Sequence, residues 1–212
     1  ERHLHVARAL AREHPDWVFC RMTAAMALGL SMTYARHDFE GLPIEIAAPS
    51  EAHCGERNGI RMLPRLGSDT VWRASGLLVA SPAQTVFDCV RCLPFDESLA
   101  MADSALHMKL MEGSEFAGLV VGAGRSRGIR NARRVLECMD GRAESGGESM
   151  VRARMIELGY KEPELQVEFP NPLEPGHTYR ADMLIRCGKR LVAVELDGKC
   201  KYEDPEMLVG RT

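Results

Sequence analysis

The sequence lacks any run of eighteen apolar residues, and no long apolar segment lies near its first residue. A membrane-spanning helix needs such a run and a secretory signal peptide needs a shorter one, so we expect neither a membrane span nor an export signal. The formal net charge is −3, so the chain also lacks the overall positive charge that attracts nucleic acid. Any contact with DNA must therefore come from local basic patches.

The cysteines show neither a disulfide pattern nor a complete zinc pattern. There are seven of them, an odd number, and they are scattered along the chain. Scattered, unpaired cysteines are typical of reduced thiols, so we expect a cytoplasmic protein. Cys89 and Cys92 have a zinc-like spacing, but no second pair matches it, and we interpret Cys89 as a core residue of a helix.

The first 140 residues predict a domain of helices and short strands. Ser81 followed by Pro82 is a typical helix start, with Ser as N-cap and Pro in the first turn. Asn58 and Gly59 predict a turn, and Gly29 predicts the end of the second helix. Hydrophobic periodicity predicts helices at about 3–14, 21–30, 82–93, 96–111 and 115–121, and strands at about 43–47, 60–65 and 76–80.

A cluster of arginines follows these helices, at Arg125, Arg127, Arg130, Arg133 and Arg134, with no acid among them. Helical spacing predicts that Arg127, Arg130 and Arg134 share one face. Two interpretations stay open. The cluster is either an ordinary solvated helix face or a nucleic-acid-binding patch that contacts phosphates without reading bases.

Glycines and small polar residues at 140–147 predict a linker, so we expect two domains, at 1–140 and 141–212. The second domain predicts a helix at about 148–158 and strands at about 165–169, 179–185 and 190–196. The third strand is almost continuously apolar, which predicts a central position with both faces covered. Asp182 and Glu195 are thirteen residues apart, which allows two neighbouring antiparallel strands whose carboxylates converge and hold a divalent cation.

This arrangement resembles the PD-(D/E)XK nuclease superfamily, and within it the very-short-patch-repair-like endonuclease branch. The matching residues are Glu148 and Arg152 on the helix, Gln166 on the first strand, the segment from Tyr179 to Asp182, the segment from Val194 to Gly198, and Lys201 with Tyr202. The resemblance implies a mixed α/β (α+β) fold whose second part is a restriction-endonuclease-like αβββ core. It implies that Asp182 and Glu195 bind Mg²⁺ or Mn²⁺, with the Leu196 carbonyl as a further ligand and Glu148 joining through water.

The chain departs from the family pattern at one catalytic position. The family carries a lysine two positions after the glutamate, and here that residue is Asp197, which becomes a candidate ligand for a second metal ion. Lys199 and Lys201 are the available replacements for the lysine, and we favour Lys201. The family core continues with a helix and a fourth strand, whereas only ten residues follow Tyr202. The resemblance therefore implies an incomplete core.

The first part resembles the AbiEi antitoxins of type IV toxin–antitoxin systems, through the segments 23–30, 81–88 and 103–106. Three functions remain open. The first is a metal-dependent DNA endonuclease with an antitoxin-like accessory domain that binds DNA. The second is an antitoxin or transcriptional regulator with an inactive nuclease fold, which implies DNA and a toxin as partners. The third is a protein-interaction module that binds no nucleic acid.

Overall fold

The computed structural model describes residues 2–32, 41–48, 54–64, 71–171, 176–188 and 190–196. They form a mixed α/β fold, as predicted, and the chain divides into two compact units, Glu1–Ala153 and Arg154–Thr212. The helices in these ranges are α1 (Arg2–Glu13), α2 (Arg21–Leu28), α3 (Pro82–Val90), α4 (Phe95–His107), α5 (Gly113–Gly122), α6 (Ile129–Cys138) and α7 (Gly146–Glu157). The strands are β1 (Ile44–Ala47), β2 (Gly55–Arg57), β3 (Ile60–Leu63), β4 (Val71–Ala74), β5 (Leu77–Ala80), β6 (Glu164–Pro170), β7 (Thr178–Cys187) and β8 (Arg190–Val194).

The first unit contains two small sheets that Phe19 joins. Strand β3 pairs with β1 in parallel and with β2 in antiparallel orientation, while β4 and β5 form a hairpin. Phe19 forms β-bridges to Ile46 of β1 and to Val79 of β5, and all three side chains are fully buried. Their burial removes apolar surface from water at the centre of this unit, and α1 and α2 pack against the same core.

Several local signals in the sequence form the structure that they predict. Ser81 Oγ accepts a hydrogen bond from the Gln84 amide at 3.3 Å, and Pro82 begins α3. Gly29 ends α2 with a φ of 73°, a left-handed conformation that favours glycine. Asn58 and Gly59 connect β2 to β3, both with positive φ, as a tight hairpin requires. These predictions are confirmed because each depends on a few neighbouring residues.

The segment 140–147, predicted as a linker, is packed within the first unit. The Asp140 amide donates a hydrogen bond to Asp103 Oδ1 at 2.7 Å. A Cβ atom at Gly141 would lie 3.0 Å from Leu106 Cβ, and one at Gly146 would lie 2.9 Å from Ser31 Cβ. These glycines thus allow close packing, and the division between the units falls inside α7 rather than at residue 140.

The second unit contains an antiparallel sheet in the order β6–β7–β8, following α7 in the predicted helix–strand–strand–strand sequence. Among the described strands, the third one is not central as predicted. Strand β7 occupies the middle position, and β8 pairs with β7 alone among the described strands. Residues 190–193 of β8 are all exposed, so this apolar run is not covered on both faces as the prediction required.

None of the helices that the structure describes combines the length and the hydropathy needed to cross a bilayer.

Candidate metal-binding site and arginine surface

Strand register brings Asp182 and Glu195 to opposite positions. Met183 of β7 pairs with Val194 of β8, and the pairing continues residue by residue toward the other end of the hairpin. One step further in the same register sets Asp182 opposite Glu195. Directly opposed residues of antiparallel strands project from the same face, with Cβ atoms about 4.5–5.5 Å apart. This register allows the two carboxylates to converge, and their convergence on a cation stays a prediction.

A hydrogen bond fixes the Asp182 side chain at the end of β8. The Leu196 amide donates to Asp182 Oδ2 at 3.0 Å. The Asp182 carboxylate therefore lies beside the backbone that immediately follows Glu195. Asp182 is half-buried and Glu195 is exposed. Within the described ranges, neither residue forms an ion pair with a basic side chain, so both carboxylates remain available to a cation.

Gln166 extends this pair to a row of three polar residues across the sheet. Leu165 pairs with Met183 and Val167 pairs with Ala181, so the intervening Gln166 stands opposite Asp182. Its φ is 52°, a left-handed conformation that residues other than glycine rarely adopt inside a strand. The sequence match at Gln166 signalled this position, but the backbone distortion has no signature in the sequence.

Glu164, the first residue of β6 in the same sheet, has a different environment from Asp182 and Glu195. Glu164 of β6 accepts a hydrogen bond from Arg186 Nε of β7 at 2.8 Å. This hydrogen bond and the charge of the guanidinium hold the pKa of Glu164 below its usual range. Glu164 is thus neutralised by a protein group, which distinguishes it from Asp182 and Glu195.

Two further predicted site residues, Asp197 and Lys201, lie outside the described residues, as does Lys199. Across the described part of the chain, no group of three or more His, Cys, Asp or Glu side chains is arranged to hold a metal ion. The two carboxylates that the β7–β8 register, continued by one residue, sets opposite each other are those of Asp182 and Glu195. Carboxylate oxygens are the ligands that Mg²⁺ prefers, and one or two of them with water and substrate oxygens complete its coordination. The chemistry of this donor pair fits such an ion.

Glu148, the third predicted metal ligand, is engaged at the start of α7. Its Oε1 accepts a hydrogen bond from Ser145 Oγ at 2.7 Å and its Oε2 accepts one from the Glu144 amide at 3.0 Å. Its own amide donates to Ser145 Oγ at 3.2 Å. This arrangement resembles a capping box, but the amide that bonds the Glu148 carboxylate belongs to Glu144, one residue before Ser145. Glu148 belongs to the first compact unit, whereas Asp182 and Glu195 belong to the second.

Arg152, which also matches the nuclease pattern, is a core residue of the first unit. It is fully buried, and its guanidinium Nη2 donates to Asp103 Oδ2 at 2.7 Å. It also donates to the carbonyl oxygen of Cys138. These contacts tie α7 to α4 and to the end of α6.

The predicted arginine face differs from the observed one. Helix α6 begins at Ile129, so Arg127 lies before the helix and does not share a helical face with Arg130 and Arg134. The helix cannot begin earlier because Gly128 has a φ of 76°. Arg134 stacks its guanidinium on the Phe95 ring, 3.6 Å from the ring centroid, and Arg133 donates to the Gly124 carbonyl oxygen at 3.0 Å. Arg127 and Arg130 remain exposed.

Sequence reasoning missed a small charged cavity in the first unit. Its volume is about 130 Å³, and its polar lining comes from Arg21, Glu45, Arg61 and Asp88. The Glu45 carboxylate is buried and accepts hydrogen bonds from the Met22 amide at 3.0 Å and from Arg61 at 3.3 Å. Burial raises the pKa of Asp88 above its usual range. These side chains come from four separate segments, so their spacing in the sequence does not group them. The one sequence signal of the cavity was Glu45, an acid within the apolar β1 segment.

Comparison with known proteins finds two similar chains of Mycobacterium tuberculosis, the uncharacterized proteins Rv2248 and MT2308. Each is 37% identical to this chain over 131 residues, which is 58% of this chain and 48% of the relative. The chain therefore spans about half the length of the curated relatives it matches. No family model matches the chain. No solved structure matches it.

Proposed function

We propose that the second unit is a metal-dependent DNA endonuclease domain that hydrolyses phosphodiester bonds. The feature that carries this proposal is the register of β7 and β8, which continued by one residue sets Asp182 opposite Glu195, together with the hydrogen bond from the Leu196 amide to Asp182. Two opposed carboxylates repel each other unless a cation neutralises them. The order of helix and strands and the resemblance to the PD-(D/E)XK nucleases support the same function.

Asp182 and Glu195 would hold Mg²⁺ or Mn²⁺, and the Leu196 carbonyl is the nearest backbone donor. A bound divalent cation supplies charge neutralisation at the phosphate and lowers the pKa of coordinated water. The chain's own residues would position the ion. The β7–β8 register and the hydrogen bond from the Leu196 amide limit the movement of the Asp182 carboxylate. Lys201 remains our candidate for the cationic group and Asp197 for a second-metal ligand. Glu148 would have to leave its capping hydrogen bonds to take part.

Plasmid cleavage tests this function. The purified chain with Mg²⁺ or Mn²⁺ is expected to nick supercoiled DNA, and Asp182→Asn and Glu195→Gln are each expected to abolish nicking. Glu168→Gln is the matched control, because Glu168 is an exposed acid of the same sheet whose register partner is Arg180 rather than another acid. Equal nicking by the wild type and both site variants would rule out this site as the source of cleavage.

The second candidate function is a DNA-binding antitoxin or regulator whose nuclease fold is inactive. Asp197 in place of the family lysine favours it, together with exposed arginines in the first unit. A toxin would then be a partner alongside DNA, and a cytoplasmic location fits both candidate functions. This alternative predicts DNA binding that is unchanged by EDTA and no cleavage in Mn²⁺. If the chain binds no nucleic acid at low salt, the protein-interaction module becomes the better hypothesis.

A further inference from the structure

Three arginines in the first unit form a surface whose charge has no counterpart in the described residues. Arg125, Arg127 and Arg130 are exposed, and we call them the arginine surface. None of the three forms an ion pair with an acid in the described ranges. The sequence prediction grouped them with Arg133 and Arg134, which the structure assigns to intramolecular contacts.

The position of these charges runs against the usual electrostatics of helices. The N-terminus of a helix carries a partial positive charge, so acidic side chains are favoured in the first turn. The first turn of α6 contains no acid, and its N-cap is Gly128, which has no side chain. Arg127 and Arg130 add positive charge at this end instead. A local rule broken without compensation among the described residues is typical of a functional site, and here it favours a ligand that brings negative charge.

The segment that carries the arginine surface is held against α3. Arg91 Nε donates to the Arg127 carbonyl oxygen at 2.8 Å. The neighbouring Gly128 approaches so closely that a Cβ atom there would lie 2.1 Å from the Arg91 carbonyl oxygen. On the other side of Arg125, Arg133 Nη2 donates to the Gly124 carbonyl oxygen. The backbone on both sides of the exposed arginines is therefore fixed.

Helix α6 is anchored in the same way. Asn131 Nδ2 donates to the carbonyl oxygens of Val90 at 2.6 Å and Leu93 at 3.1 Å, and it lies 2.9 Å from Ser98 Oγ. The position of Arg130 is thus set by its neighbour in the chain. Binding groups that are already ordered lose less entropy when a ligand binds, so anchoring of this kind favours binding by the exposed guanidinium groups.

We propose that Arg125, Arg127 and Arg130 bind the phosphates of a duplex DNA backbone, and that Arg91 is a positioning residue for this surface. Guanidinium groups recognise phosphate through paired hydrogen bonds. Single-stranded nucleic acid is bound through aromatic side chains that stack on bases, and segment 123–134 contains no aromatic residue. The surface therefore fits a backbone and not splayed bases. This inference rests on the proposed function only in its choice of DNA.

The test measures the salt dependence of DNA binding by the full chain carrying Asp182→Asn, so that cleavage cannot consume the probe. The probe is a fluorescent 20-base-pair duplex of mixed sequence, titrated by anisotropy between 50 and 200 mM salt. Three phosphate contacts predict a slope of log K against log salt of about −2.7 and a loss of affinity of about 40-fold over this range. Each single substitution to Ala should reduce the slope by about 0.9, and the triple substitution should flatten it.

Two further variants separate the arginine surface from general charge. Arg12→Ala is the matched control, because Arg12 is an exposed arginine of α1, and it should leave the affinity and slope unchanged. Arg91→Lys keeps the charge but removes the Nε donor to Arg127, so it should weaken binding by about three- to tenfold without changing the slope.

Three outcomes overturn the inference: no binding by the parent protein at 50 mM salt, a triple variant that folds and keeps the full slope, or equal competition by polyglutamate of the same charge. Tighter binding to single-stranded than to duplex DNA would reject the duplex assignment. The endonuclease proposal is read separately, from nicking by the chain with an intact Asp182. Lost nicking with intact binding would reject the endonuclease alone, and lost binding with intact nicking would reject the arginine surface alone.

Discussion

Arg152 matches the nuclease pattern in sequence but forms a buried ion pair with Asp103, and breaking that pair tests whether its role is structural. The two side chains are 0% and 1% exposed, with 2.7 Å between Nη2 and Oδ2. Asp103 Oδ1 also accepts the Asp140 amide at 2.7 Å. Asp103→Ala would leave the Arg152 guanidinium buried without its carboxylate. Removing one member of a buried pair costs about 3–5 kcal/mol, because the remaining charge stays away from water.

This cost should be visible in the unfolding of the first unit, which spans Glu1–Ala153. For a unit of this size, 1 kcal/mol shifts Tm by roughly 2–4 °C, so Asp103→Ala should lower Tm by about 6–20 °C. The double variant Asp103→Leu with Arg152→Met should recover part of this loss, since it removes both charges and keeps the volume filled. Differential scanning calorimetry and urea unfolding measure both changes.

The matched control is Arg154→Met, which breaks an ion pair with Glu157 on the exposed side of the same helix. A pair on the surface contributes at most about 1 kcal/mol, so this control should unfold almost as the wild type does. The reasoning is refuted if Asp103→Ala unfolds within 1 kcal/mol of the wild type. It is also refuted if Arg152→Met alters Mn²⁺ affinity while stability is unchanged, since Arg152 would then act on the metal site.

Three other outcomes are expected. Burial lowers the pKa of His3 below the ordinary value for histidine, about 6.5. As pH falls below about 6.5, the unfolded chain takes up a proton on this residue before the folded chain does, so the free energy of unfolding falls until pH passes the folded pKa. Thermal melts at pH 7.5 and 5.5 should therefore show a smaller loss of stability for His3→Gln than for the wild type. Gly128→Ala should cost more than about 2 kcal/mol in urea unfolding, because the new Cβ meets the α3 C-cap carbonyl. Gly124→Ala also has a positive φ but meets no atom within 4 Å, so a cost equal to that of Gly128→Ala would contradict the proposed contact. Ser145→Ala removes both hydroxyl contacts with Glu148 and should cost about 1 kcal/mol by circular dichroism melts; an unchanged melt would show that the cap is not formed.

The elements that the sequence predicts best are those whose cause lies within a few residues. Ser81 and Pro82 start α3, and Gly29 ends α2, because hydrogen bonds at helix ends are satisfied locally. Strands β2 and β4 were not predicted. Their residues are mostly exposed and lack apolar alternation, and they form because β3 and β5 offer pairing partners.

The position of β8 shows a different limit of sequence reasoning. An apolar run predicts a buried strand, but the burial of a strand depends on where the strand lies in the sheet and on what packs against it. Strand β7 has partners on both sides and contributes Ala181, Met183 and Leu184 to the core. Strand β8 pairs with β7 alone among the described strands, and its apolar side chains stay exposed. The order of strands in a sheet is a property of long-range pairing that no single segment contains.

The hairpin that carries the candidate site is predictable because its register depends on a short turn and on the residues beside it. That register, continued by one residue, sets Asp182 opposite Glu195, and a metal site there stays a prediction. The sequence could not decide the roles of Glu148 and Arg152. Glu148 bonds the helix cap Ser145, and Arg152 bonds Asp103 on a different helix. A carboxylate that caps a helix and one that awaits a metal ion look alike until their neighbours are known.

The sequence by itself determined the mixed α/β class, the order of helix and three strands, and the hairpin whose strands end near Asp182 and Glu195. All of these arise from periodicity, caps and turns, which act over short distances. The tertiary structure alone decided which charges are used internally. It joined Arg152 to Asp103, placed Arg134 on Phe95, and left Arg127 and Arg130 facing solvent. The reason is that the partner of a charged side chain depends on how remote segments pack together, which spacing along the chain does not encode.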